Sequence, residues 1–304
     1  MPKNSAPRNH RRERQFRRRR RERALVLFLL GLVLLAGAII YAKTRESSEP
    51  DSYSHTINSV GDLDTPAATA SIATYSSSVI EQRAPQQTTI ARPKLAGKII
   101  CIDPGHASNP DLGSEPIGPG SSETKVKDPG GTSGVVSGVR EPVVNLAISL
   151  ALKQLLEADG ATVVMTRGGP DFNGGNIERA QIANQAKADL FVRIHADGST
   201  NPSQSGASTL YPALIPGWTD GIYVESKKAA RVVQASMVSD LGVTDGGAVE
   251  RSDMTGFNWS KVPVVLVECG FMTNAAEDRN LNSTDYQRQI AKALTHGIED
   301  YFSG

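Results

Sequence analysis

The sequence predicts an α/β fold, a mostly parallel mixed sheet with helices on both faces, forming a single domain over residues 95–304. Three observations carry that prediction. Short runs rich in β-branched residues alternate with longer helical stretches from residue 98 onward, the order expected of strands joined by crossover helices. The strongest runs, KIICI and VPVVLV, are apolar at successive positions, as strands covered on both faces must be. Turn chemistry punctuates the pattern, beginning with Asp103-Pro104-Gly105.

The first strand is residues 98–102. A loop rich in Gly, Ser and Pro then runs to Arg140, long enough to be either functional or an insertion. Glu141 and Pro142 open a helix through VVNLAISLALKQLLEA, because the missing proline donor costs nothing in a first turn; Gly160 stands where a helix stop is expected. Residues 162–166 read as a strand, 176–188 as a helix, 190–194 (LFVRI) as a strand and 207–211 as a weaker strand. Residues 223–241 form a packed helix with Ala229, Val232, Val233 and Met237 at core spacing. A buried strand over 262–267 and a helix over 284–302 close the chain. Cys101 and Cys269 fall in core strands and read as plain buried thiols rather than a disulfide.

The N-terminal third has a different composition. Residues 1–23 hold eleven Lys/Arg against Glu13 and Glu22, whereas the whole chain has a formal charge of only +1. The remainder is therefore acidic, which argues against a nucleic-acid-binding body, since neutralising phosphates needs a positive face on the domain that binds. Residues 24–42 (ALVLFLLGLVLLAGAIIYA) carry no charge and match the length of a membrane-crossing helix. The basic flank keeps the head in the cytoplasm and sends the rest outside. A cleaved signal peptide, with Ala36-Gly37-Ala38 as its small-residue site, is the rival and would give a secreted protein. Residues 43–94, rich in Ser, Thr, Ala, Pro and Gln, cannot bury enough apolar area to offset ordering and read as an extracytoplasmic stalk.

Chemistry concentrates in four residues. Of five histidines, His10 lies in the head, His55 in the stalk and His296 in the last helix, leaving His106 in DPGH and His195 closing LFVRIH. Glu268 closes VPVVLVE, and Glu141 opens the helix after the long loop. Functional groups of open α/β sheets gather beyond the carboxyl ends of strands, so these positions can converge. Each has a plainer reading. A histidine after a turn is often a surface residue, Glu141 suits a helix start, and Glu268 could pair with Arg179 or Arg279. Together, two imidazoles and a carboxylate are a known Zn²⁺ ligand set that leaves a position for water, with a second carboxylate free to carry the proton. No H-E-x-x-H helix is present, which excludes that common zinc peptidase arrangement.

KIICIDPGH, REPVVNLAISLALKQLLEADGATVVMTR, ERAQIANQAKADLFVRIHAD, KVPVVLVECGFMTNAAEDRNL and YQRQIAKALTHGIEDYF, in that order, resemble the zinc-dependent N-acetylmuramoyl-L-alanine amidases of the amidase-3 type. The resemblance implies that His106, Glu141 and His195 bind Zn²⁺ and that Glu268 is the catalytic acid/base. It implies hydrolysis of the amide between muramic acid and L-alanine of peptidoglycan. A zinc carboxypeptidase or deacetylase on the same polymer, and a silent wall-binding regulator, are the alternatives. Two departures stand out. Here 34 residues separate His106 from Glu141, where the family commonly has a short Gly-rich loop, which makes Glu115 and Glu123 fallback ligands. Arg193 replaces a small residue before Ile194-His195 and reads as a structural ion pair. Relatives carry an autoinhibitory element between the second histidine and the catalytic Glu; the helix over 223–241 has none of its marks.

Overall fold

The computed structural model describes residues 93–304; the basic head, the apolar run 24–42 and the stalk up to residue 92 lie outside the described residues. Among the described residues no helix is long and apolar enough to cross a membrane. Eight strands and six helices follow in the order β1 Ile99–Pro104, β2 Asp111–Pro116, β3 Thr124–Asp128, α1 Glu141–Ala158, β4 Thr162–Met165, α2 Asn176–Gln185, β5 Leu190–Asp197, β6 Ala207–Pro212, α3 Tyr223–Leu241, β7 Asp245–Arg251, α4 Thr255–Asn258, β8 Val264–Phe271, α5 Ala275–Leu281 and α6 Thr284–Ser303. Six strands form one sheet in the order β4-β1-β5-β8-β6-β7, and β2 with β3 form a separate hairpin. β4, β1, β5 and β8 run parallel, whereas β6 is antiparallel to β8 and carries β7 parallel to itself. The sheet is therefore mixed and mostly parallel, as the alternating sequence pattern requires.

The two-residue period of the strands divides the core between two helical layers. Ile100, Ile102, Val192, Ile194, Val265 and Val267 pack with Ile148 and Leu152 of α1, Val233 and Met237 of α3, and Leu294 and Ile298 of α6. Their alternates Cys101, Phe191, Val264 and Leu266 pack with Ala180 and Ala183 of α2 and Phe257 of α4. Each fully buried Leu or Ile stabilises the fold by roughly 1.5–3 kcal/mol relative to exposure. Because both faces are covered, the strands read as continuous apolar runs.

Helix ends are set locally. Arg140 precedes α1 without a side-chain cap, Pro142 sits in the first turn, and the chain leaves through Asp159 to Gly160 at φ +90°, a left-handed conformation that suits glycine. α2 begins with Glu178 Oε2 accepting from the Gly175 amide at 2.6 Å. Asn274 caps α5 by accepting from the amides of Ala276 and Glu277.

The structure corrects the sequence reading in three places. β5 and β8 do not end before His195 and Glu268; they continue to Asp197 and Phe271, because the two strands go on pairing through His195 and Glu268 with an irregularity just beyond. The loop after His106 contains the β2–β3 hairpin, whose mostly exposed strands lack the apolar alternation that marks a strand. β7, α4 and α5 are likewise additions, being short or rich in polar residues.

Candidate metal centre

The turn after β1 brings the first histidine to the sheet edge. The Gly105 amide donates to the Ile194 carbonyl at 2.8 Å, and a Cβ at Gly105 would collide with the imidazole of His195, so this position has to be glycine. His106 follows at φ +56°, a left-handed conformation costing a non-glycine residue about 1–3 kcal/mol. Two buried arginines hold the strained turn. Arg179 donates to the carbonyls of Pro104 at 3.0 Å and His106 at 2.9 Å, and Arg167 to those of Pro104, Gly105 and Pro142.

His106, Glu141 and His195 meet at that edge, each offering one ligand atom, all within 4.8 Å of one another. A single oxygen, Oε1 of Glu141, lies 3.4 Å from Nε2 of His106 and 3.1 Å from Nδ1 of His195. The imidazoles stand edge to face with centroids 4.9 Å apart, so they aim at a shared point without stacking. Glu141 is pinned by Asn145 Nδ2 to Oε1 at 3.1 Å and the Thr132 amide to Oε2 at 2.9 Å. Nδ1 of His106 lies 2.7 Å from the buried carboxylate of Asp128, which also accepts from the Gly130 amide. A carboxylate on the far nitrogen fixes tautomer and ring orientation, as metal-ligating histidines need.

The electrostatics suit a cation. Burial opposes ionisation of Glu141, but its hydrogen bond and attraction to His195 and the charge of His106 prevail and bring its pKa to about 2. Burial pushes His195 down to about 4 despite Glu141, so its ring is neutral near pH 7 and keeps a lone pair to donate. Glu268 pairs in register with His195 across β5 and β8, and its Oε2 is buried with no hydrogen-bond partner among the described residues. Burial, then the charges of Glu141 and Asp197, push its carboxyl well above the usual range. An unsatisfied buried carboxyl is costly, and one beside a ligand cluster suits proton transfer.

The ion-pair reading of Glu268 fails on contacts. Arg179 is bound to Asp103, and Arg279 donates to the carbonyl of Ala275, so neither pairs with Glu268. Glu115 accepts from the Asn176 and Ile177 amides at the start of α2, and Glu123 is exposed in the hairpin turn, which removes both fallback ligands. Arg193 pairs with Asp103 at 2.8 Å and donates to Asn176 Oδ1, a structural role as expected. His296 lies away from the site, against Asp240. Sequence reasoning missed Asp128, Asn145 and the two arginines. Asp128 stands before Pro129-Gly130, where an aspartate looks like ordinary turn chemistry.

The hairpin between His106 and Glu141 is docked rather than loose. Trp218 Nε1 donates to the Pro119 carbonyl, Trp259 Nε1 to that of Pro116 and Asn258 Nδ2 to that of Ile117, each at 3.0 Å. Lys125 reaches Asp253 at 2.9 Å.

A family model described as Amidase_3, N-acetylmuramoyl-L-alanine amidase, matches residues 100–300. The chain is 31% identical over 208 residues to the N-acetylmuramoyl-L-alanine amidase LytC of Bacillus subtilis, covering 68% of this chain but only 36% of that protein. It is 31% identical over 215 residues to an N-acetylmuramoyl-L-alanine amidase of Mycobacterium tuberculosis, covering 69% and 88%. Among solved structures, the N-acetylmuramyl-L-alanine amidase of Mycobacterium smegmatis superposes with a TM-score of 0.63 at 30% identity, over 69% of this chain and 98% of that one.

Proposed function

The chain belongs to the N-acetylmuramoyl-L-alanine amidase family, and from that premise we propose that it hydrolyses peptidoglycan between N-acetylmuramic acid and the L-alanine of the stem peptide. His106, Glu141 and His195 are the Zn²⁺ ligands in this reading, and Glu268 is the acid/base. One observation carries it most: two imidazoles converge on one oxygen of an ionised Glu141, with an unpartnered carboxyl on the adjoining strand. The donors fit zinc, being two nitrogens and one carboxylate.

Bound zinc supplies Lewis acidity, lowering the pKa of water towards neutrality and polarising the amide carbonyl. The protein's own groups do the rest. Asp128 holds His106 in one orientation, and Asn145 with the Thr132 amide holds Glu141. Glu268 takes the proton of the attacking water and returns it to the leaving L-alanine nitrogen; its raised pKa makes it a stronger base than an ordinary carboxylate.

The head and the apolar run 24–42 tether this chemistry to the outer face of the cytoplasmic membrane in the same reading, supported by the basic flank and the uncharged length. Fractionation and N-terminal sequencing test the tether; a mature chain beginning near Ile39 removes it. Mass spectrometry of digested peptidoglycan tests the reaction. Stem peptides with a free L-alanine amino terminus are expected. Loss of terminal D-alanine instead would replace this reading with a carboxypeptidase.

A further inference from the structure

We propose that the cavity between the β2–β3 hairpin and residues 172–178 is a second binding site, which holds N-acetylhexosamine units of the substrate's sugar strand. The inference rests on the amidase reading and adds a subsite to it. The cavity measures about 530 Å³, and its walls include Asn109, Asp111, Lys127, Phe172, Asn173 and Glu178, none of which belongs to the metal cluster. Contacts place it against that cluster. Asp111 is in register with Asp128 across the hairpin, and the Asp128 carboxylate lies 2.7 Å from Nδ1 of His106. Phe172 has the Arg179 guanidinium 4.3 Å over its ring, and Arg179 donates to the His106 carbonyl at 2.9 Å. Along each path a single residue, Asp128 or Arg179, links the cavity wall to His106, on the side opposite the Nε2 that faces Glu141.

The walls are fixed before any ligand arrives. Asn109 Nδ2 donates to the Phe172 carbonyl at 3.2 Å and to Asn173 Oδ1 at 3.3 Å, and its Oδ1 accepts from the Phe172 amide at 2.9 Å. Lys127 pairs with Asp111 at 3.4 Å, and Glu178 Oε2 accepts from the Gly175 amide. Asn173 Nδ2 and Glu178 Oε1 take no partner among the described residues, so polar groups remain for a ligand on a framework already ordered, which lowers the cost of binding.

The lining selects the ligand class. Asp111 and Glu178 set two carboxylates against the one ammonium of Lys127, a surplus of negative charge that disfavours the carboxylates of a stem peptide. Pockets for small apolar ligands are mostly apolar with few polar groups, whereas here polar side chains surround one half-buried aromatic ring. A pyranose is built the same way, with apolar C–H faces and a rim of hydroxyls. Its face packs on an aromatic ring, and its hydroxyls, each a donor and an acceptor, match carboxylate, amide and ammonium. The sugar strand of peptidoglycan supplies such rings.

The test uses the full-length, zinc-loaded protein and a neutral tetramer of β-1,4-linked N-acetylglucosamine, which carries no lactyl amide to cleave. Calorimetry should show binding to the wild type, weakened roughly three- to tenfold by Phe172→Leu and by Asn173→Ala. Asn173 is exposed, so its variant changes recognition without touching Arg179; zinc content and melting temperature are measured alongside. The same variants should raise KM for sugar-strand peptidoglycan by a similar factor, leaving kcat and the cleavage of N-acetylmuramoyl-L-alanine unchanged. Absence of tetramer binding to the wild type, or binding that both variants leave intact, would overturn the inference. Preferential binding of a sugar-free stem peptide, lost in Glu178→Gln, would overturn it in favour of a peptide amine. Tetramer binding that the variants weaken, with no cleavage of any muramoyl peptide, supports the cavity and counts against the amidase reading.

Discussion

Asp128, in the last position of the hairpin, places its carboxylate 2.7 Å from Nδ1 of His106, 22 residues earlier in the chain. The segment that lengthens the path between two candidate ligands thus returns a group that orients one of them. Replacing Asp128 with alanine is expected to lower zinc affinity by roughly 10–100-fold, measured by competition with a chromogenic chelator. Undiminished affinity would show that the contact is incidental.

Glu268 is registered beside His195 but makes no hydrogen bond or ion pair with any of the three candidate ligands among the described residues, which separates proton transfer from metal binding. Glu268→Ala should keep its zinc while kcat falls by roughly 10²–10⁴. Atomic absorption and steady-state kinetics check both halves. Loss of zinc would make this residue a ligand, and retained turnover would remove it from the reaction. His195→Ala is expected to lose the metal.

Gly131 lies at φ +72°, and a Cβ there would stand 2.5 Å from Oε2 of Glu141 and 2.8 Å from Cδ2 of His106. Gly131→Ala adds one methyl group and should displace a ligand. Expected are a clear fall in zinc affinity and a loss of roughly 1–3 kcal/mol of stability from the strained backbone. Wild-type zinc affinity in this variant would show that the ligands shift freely.

Asp103 binds two buried guanidinium groups, Arg179 and Arg193, and accepts from Thr166. Burial raises its carboxyl pKa, but Arg179, Arg193 and Thr166 outweigh burial and hold it below the ordinary range. A depressed folded-state pKa contributes stability that is complete above the unfolded value, near 4, and is lost as pH falls towards the folded value. Thermal melts of the wild type should therefore decline in acid below about pH 4, and Asp103→Asn should flatten that decline. Asp103→Ala leaves two buried cations unpaired and is expected to cost about 3–5 kcal/mol at neutral pH; a loss under 1 kcal/mol would mean that water or another anion replaces the carboxylate.

The sheet and its helical layers were legible because burial on both faces writes itself into runs such as KIICI and VPVVLV, and helix 223–241 because apolar residues recur at its period. His106, His195 and Glu268 were legible through their places near strand ends, and Glu141 through its helix start. The hairpin was not, since Leu112 and Val126 are exposed and leave no burial pattern to read. Asp128 was hidden for a related reason: its contact with His106 joins residues distant in sequence, and a single aspartate carries no spacing.

Cys101 packs in the layer that holds α2 and α4, whereas Cys269 packs in the one that holds α1, α3 and α6, and both are free thiols. The sheet itself stands between the sulfurs, so maturation of this body calls for no oxidant or disulfide isomerase. It can be produced in a reducing cytoplasm and refolded with thiol reductants present, and burial, which raises both thiol pKa values, shields them from alkylation until the fold opens.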